Sequence, residues 1–259
     1  SGLALHRFLS GDQLRRLCFV TCGPSMARRR VRALYDFGLV DRRVVVAQPT
    51  RGVPPFVYTL SRDGAAVLEE EGREPVTAAR ASWNMATFRH RFEINEFAVS
   101  LTEALRGTPY RLRSWQHEEH LKLPTQDGWG RVEQVTHPSL PKTTPFLPDG
   151  YFDLTGPGST ALPFFVEADR ATHGLRIWAT RAKLYMAYAT AGLFRQRFGH
   201  DAFKLLIVTT PDHRGRSRRD NILATIRQTI GPSPLFLATT FPEVKANRLL
   251  GPVWRRTDG

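Results

Sequence analysis

Cys22-Gly23-Pro24-Ser25-Met26-Ala27-Arg28-Arg29-Arg30-Val31-Arg32-Ala33-Leu34-Tyr35-Asp36-Phe37-Gly38 is the stretch from which the N-terminal fold is read. Cys22 to Ser25 has turn composition. A helix follows from about Ser25 to Phe37, with Met26, Val31, Leu34 and Tyr35 apolar, and Gly38 stops it. Its polar face carries Arg28, Arg29, Arg30 and Arg32. Upstream, Ser10-Gly11-Asp12-Gln13 opens a shorter helix bearing Leu14, Leu17 and Cys18. Ser10 is its expected N-cap, and Gln13 completes a capping-box pattern. Downstream, Arg43 to Val46 reads as a strand, Gln48 to Pro55 as a turn-rich loop with Arg51 and Gly52, and Phe56 to Leu60 as a returning strand. Ser61-Arg62-Asp63-Gly64 caps a last helix through Leu68. Helix, turn, Arg-rich helix, hairpin, helix is the order of a winged helix-turn-helix. The second helix of such a pair enters the major groove of DNA. Arg28, Arg29, Arg30 and Arg32 are therefore the expected DNA contacts, with Arg51 set by the hairpin against a phosphate or in the minor groove. A solvated helix face would carry the same Arg run, and winged helices also dock proteins.

Charge supports a nucleic-acid partner. The 259 residues hold 37 Lys and Arg against 24 Asp and Glu, a net charge of +13. Residues 1–80 carry +5, residues 81–160 carry −1 and residues 161–259 carry +9. Basic character at both ends fits a polyanionic partner, although a GC-rich genome would also raise Arg. Hydrophobic residues make up 41% of the chain, enough for a packed core. No apolar run approaches the ~18 residues that span a bilayer, and no secretory signal is visible, so no membrane partner is expected. The two cysteines, Cys18 and Cys22, fit a reduced, cytoplasmic compartment. No nearby Cys or His pair completes a zinc set with them, and both read as buried thiols.

Residues 1–75 form the expected winged-helix domain, 76–84 a linker and 85–259 a second domain. A long helical pattern runs from Met85 to about Arg106 through His90 and Asn95. Tyr110 to Trp115 and His120 to Leu123 are strand-like, and 124–148 read as one long loop. Tyr151 to Leu154 and Pro163 to Asp169 are strands, and Leu175 to about Leu193 is a helix. Phe203 to Thr210 is a buried strand, Arg218 to Ile230 a helix and Leu235 to Thr239 a strand. Arg255 and Arg256 read as a loose tail. The basic segment Pro211 to Arg219, with four arginines, could grip phosphate or simply be solvated. His117 and His120, with Glu118 and Glu119, resemble a metal cluster only superficially.

The chemistry concentrates at Asp149, Glu167 and Asp169. Glu167 and Asp169 alternate on one strand and share a face. A hairpin separates Glu167 from Asp149 by 18 positions. Clustered carboxylates repel unless they hold a cation, and hard divalent ions prefer oxygen ligands. Mg²⁺ or Mn²⁺ there would polarise a scissile phosphate and activate water. Pro148-Asp149 … Glu167-Ala168-Asp169 is similar to the PD-(D/E)xK nuclease pattern, which expects Lys where this chain has Asp169. Arg170 and Lys183 are the nearest substitutes, with Tyr188 further along the same helix. In the alternative reading Glu167 and Asp169 pair with Arg170, Arg181 or Lys183 in a retained but inactive fold.

Tyr58-x-Leu60-x-x-x-Gly64, His90 with Asn95, Pro148-Asp149-Gly150-Tyr151, Phe165-x-Glu167-x-Asp169-Arg170-x-Thr172 and Lys183-Leu184-x-x-x-Tyr188 occur in that order. Over about residues 5–210 they resemble the replication-relaxation family of plasmids and integrative elements. The resemblance implies a bacterial DNA-binding protein of plasmid replication, relaxation or conjugative transfer, and Asp169 as part of the family's own pattern. It implies an α+β protein with an N-terminal winged helix-turn-helix and an α/β restriction-endonuclease-like (αβββαβ) domain. Double-stranded DNA and a relaxase or replication protein are the expected partners. A homodimer would match a two-fold DNA site, although no dimerisation stripe stands out. Two functions follow: a non-catalytic DNA-binding accessory protein, or a Mg²⁺- or Mn²⁺-dependent nickase. The nickase would use Asp149, Glu167, Asp169 and Lys183; Arg170, Thr172, Tyr188 and His90 are further residues that the resemblance singles out.

Overall fold

A computed structural model describes residues 2–44, 56–73, 85–125, 130–212, 215, 217–245 and 249–258. The fold is α+β and divides into two compact units, 1–99 and 100–259. The segment expected as a linker, 76–84, and Arg51 lie outside the described residues.

The first unit runs α1 (Gly2–His6), β1 (Phe8–Ser10), α2 (Gly11–Cys18), α3 (Pro24–Asp36), β2 (Val40–Val44), β3 (Phe56–Leu60) and α4 (Arg62–Glu70). It closes on the first part of α5 (Met85–Ala104). The three strands form an antiparallel sheet in the order β1-β3-β2. The capping box at Ser10 is made in both directions: the Gln13 amide N–H donates to Ser10 Oγ at 3.1 Å, and the Ser10 amide N–H donates to Gln13 Oε1 at 2.9 Å. Leu3, Leu9, Leu14, Val31, Val40 and Val99 form the core, with Tyr58 and Leu60 packed on it. Gly64 is required by close approach, since a Cβ there would stand 2.1 Å from the Leu39 carbonyl oxygen. Buried Asn95 on α5 donates to the carbonyls of His6 at 3.2 Å and Phe8 at 2.7 Å, tying the helix to the backbone entering β1.

The second unit holds a six-stranded sheet. Its strands are β4 (Arg111–His117), β7 (Gly150–Thr155), β8 (Ala161–Asp169), β9 (Lys204–Thr209), β10 (Phe236–Thr240) and β11 (Arg255–Arg256). Spatially the order is β11-β10-β9-β8-β7-β4. β4, β7 and β8 are antiparallel, while β8, β9 and β10 are parallel. The parallel steps are bridged by helices, α6 (Arg176–Thr190) with α7 (Leu193–Phe198), then α8 (Arg218–Ile230), and α9 (Phe241–Lys245) follows β10. Phe165, Tyr185, Tyr188, Phe194 and Phe203 dominate the core between sheet and helices.

Several expectations are corrected. His120 to Leu123 is not a strand, because Glu118–Leu121 turns as a short 3₁₀ helix. The segment 124–148 is not one loop. It carries β5 (Glu133–Val135) paired with β6 (Thr144–Phe146), which buries Val135 and Phe146. The helix expected to run to Leu193 ends at Thr190, because Gly192 adopts φ +72° and restarts the chain as α7. Arg255 and Arg256 are not a loose tail but the edge strand β11, held on β10. Cys18 is exposed and Cys22 half-buried, so neither is a buried thiol.

Candidate functional site

Helix α3 presents its arginines outward. Ala27 and Val31 are its buried residues, and no acidic side chain sits in its first turn. At about 100° per residue, Arg29 falls opposite that buried stripe and Arg32 well away from it, whereas Arg28 and Arg30 flank it on either side. All four side chains are exposed. Arg32 Nε lies 2.8 and 2.9 Å from the two carboxylate oxygens of Asp36. Among the described residues, no carboxylate pairs with Arg28, Arg29 or Arg30; Arg28 reaches only Ser25 Oγ at 3.4 Å. Sequence reasoning missed Arg42 on β2. Its guanidinium stacks between Tyr35, 4.7 Å from the ring centre, and Phe56, at 4.5 Å. The pairing register that sets Val44 against Phe56 makes this contact, and no local motif announces it.

The three carboxylates are engaged by protein groups. Asp149 Oδ2 accepts the Ala168 N–H at 2.8 Å. Glu167 is buried; one oxygen takes an ion pair from Arg181 and the other accepts the Tyr185 hydroxyl at 2.7 Å. Asp169, also buried, receives Arg218 bidentately, Nε to Oδ2 at 2.8 Å and Nη2 to Oδ1 at 2.9 Å. Thr209 adds a 2.6 Å hydrogen bond to Oδ2, and the Trp178 indole stands 3.4 Å from Oδ1. Burial pushes the Glu167 carboxyl up to about 7 against the pull of Arg181, and neighbouring Asp149 raises it further. At Asp169 burial works the same way, but the hydrogen bonds from Arg218 and Thr209 outweigh it and hold the carboxyl below its usual value.

A family model described as replication-relaxation matches residues 2–201. The chain belongs to the replication-relaxation family. No curated protein and no solved structure matches it. The family match covers the α3 arginines and all three carboxylates. Arg218 and Thr209, the partners of Asp169, lie beyond it. Membership points to a role in the replication or relaxation of plasmids or similar elements.

This replication-relaxation chain scatters several of the expected site residues. Lys183 sits on α6 about 160° around from Tyr185, the residue that reaches Glu167. Arg181 instead reaches Glu167 from that helix. Tyr188 is buried elsewhere: its hydroxyl donates to Glu133 Oε2 at 3.0 Å, beside Arg197, and its ring stacks on Phe146. Arg170 is half-buried next to Asp169 in sequence, Thr172 is exposed in the loop before α6, and His90 is half-buried on α5. In the basic segment 211–219, Arg218 turns to Asp169 and Arg219 to Glu243. Arg214 and Arg216 lie outside the described residues.

A Mg²⁺ or Mn²⁺ ion, implied by the PD-(D/E)xK resemblance, needs oxygen lone pairs converging on one point. Here each carboxylate has its own donors, and among the described residues no group of three or more His, Cys, Asp or Glu side chains is arranged to hold a metal. The donor set does not fit the ion. Among the described residues, no helix is long and apolar enough to cross a membrane.

Proposed function

We propose that this replication-relaxation protein is a DNA-binding accessory factor that engages double-stranded DNA through α3. The element order α1-β1-α2-α3-β2-β3 supports reading the first unit as a winged helix-turn-helix with α3 as its groove-entering helix. The order β4-β7-β8-α6-β9 within the larger sheet, led by the end of α5 and interrupted by the β5–β6 pair and by α7, supports reading the second unit as a nuclease-like αβββαβ fold used for DNA or protein contacts.

The observation that carries the proposal is the outward arginine row of α3. Arg28, Arg29 and Arg30 face water with no described carboxylate to neutralise them. A phosphate brought there releases counterions, and a guanidinium fork can also read guanine edges. The Arg32–Asp36 pair is exposed and therefore weak, so a phosphate can displace Asp36 at little cost. Arg42, stacked by two rings next to the β2–β3 hairpin, adds a pre-oriented cation.

Fluorescence anisotropy on labelled duplex DNA across a salt series tests this reading. Log affinity should fall linearly with log salt, and each of Arg28→Ala and Arg29→Ala should reduce the slope by about 1. Affinity independent of salt, or unchanged when Arg28, Arg29 and Arg30 are all replaced, would overturn it.

A further inference from the structure

The acidic site of the second unit has its own resident positive charge. β8 places Glu167 and Asp169 two residues apart on one face. Parallel pairing sets Thr209 beside Asp169, which brings the threonine hydroxyl onto the carboxylate. Arg218, the first residue of α8, closes on the same carboxylate from 49 positions away in sequence. Its Nη2 also donates to the His173 carbonyl at 2.8 Å, so one guanidinium holds β8 and the loop that follows it. Arg181 lies over the Trp178 ring, 5.2 Å from its centre, and points at Glu167. Trp178 in turn faces Asp169. Asp149 Oδ2, both Glu167 oxygens and both Asp169 oxygens accept hydrogen bonds from the protein.

We infer that Arg181 and Arg218 occupy the place of a divalent cation in this site, so that the second unit holds its carboxylates with guanidinium groups and binds neither Mg²⁺ nor Mn²⁺. Two guanidiniums supply the same +2 as one such ion. Mg²⁺ demands near-octahedral oxygen geometry. A metal could reach Asp169 only by expelling a bidentate arginine, whose fork is among the strongest pairs a carboxylate makes. Expulsion would also leave the His173 carbonyl without Arg218. The inference stands apart from DNA binding by α3: either can fail without the other.

Electron paramagnetic resonance of Mn²⁺ titrated into the full chain, alone and with duplex DNA, is the direct test. The free-ion signal should be undiminished in both cases. A stoichiometric loss of signal that Glu167→Gln abolishes would overturn the inference. Thermal melting of Arg218→Met, Asp169→Asn and the double variant is the second test, and it needs no metal. Each single variant strands a buried partner, so the double variant should melt no lower than Arg218→Met alone. Strictly additive losses would mean the pair is not the clamp described, and would overturn it as well.

Discussion

In the first unit the arginines of α3 face water, while in the second Arg181 and Arg218 face buried carboxylates. The residue type is the same and the consequence is opposite. An arginine whose neighbours are solvent keeps its charge available for a phosphate. One that has already met a buried carboxylate is committed, because separation would leave both groups desolvated and unpaired. A count of +13 treats these arginines alike, whereas the structure divides them into a binding surface and an internal clamp.

The largest effect that would break this contrast is loss of Arg181. Arg181→Met should cost the second unit about 3 kcal/mol above roughly pH 7, where Glu167 is ionised, and far less below roughly pH 5, where it is protonated. Urea denaturation at the two pH values checks this. An equal cost at both would remove Glu167 as its partner.

Acidity should move the two units in opposite directions. Burial, with Arg91 adding to it, lowers the His6 imidazole from 6.5 to about 4. His6 is therefore neutral in the folded first unit, and its contribution is present above pH 6.5 and lost as pH falls toward 4. Glu167 is raised from 4.5 to about 7, so its contribution is complete below 4.5 and lost as pH rises through 7. Each shift is worth on the order of 3 kcal/mol at full extent. Hydrogen exchange read separately over the two units should show first-unit protection falling on acidification and second-unit protection falling toward neutrality. His6→Gln and Glu167→Gln should each flatten one limb.

A smaller effect probes backbone crowding in the first unit. Gly64→Ala should destabilise it by about 1–3 kcal/mol through the collision with the Leu39 carbonyl. A variant as stable as the parent would mean that the turn into α4 relaxes freely. The smallest effect sharpens the contrast within α3. Asp36→Asn should change stability by less than about 1 kcal/mol, since the pair is exposed, while raising DNA affinity by freeing Arg32. Calorimetry and anisotropy on that one variant separate the two outcomes.

Local signals in the chain are legible where a few adjacent residues decide the structure. The capping box at Ser10, the stop at Gly38 and the α8 boundaries at Arg218 and Ile230 all follow from near neighbours. Alternation alone puts Glu167 and Asp169 on one face. The β5–β6 pair was not legible, because each strand is three residues long and is justified only by the aromatic cluster under it. Lys183 is, with Arg170, one of the two substitutes that motif logic offers, yet helical periodicity turns it away and brings Arg181 forward.

By itself the sequence determined the main helices and the long strands, the charged row on α3 and the placing of two acids on one strand face, because periodicity, caps and turn residues act over a few positions. Only the tertiary structure decided what those charges meet. Arg218 finds Asp169 through a parallel strand register and a helix start, and Arg197 finds Glu133 through the docking of β5 on α6 and α7. Partners so far apart along the chain are chosen by packing and desolvation, and no pattern of neighbours records that choice.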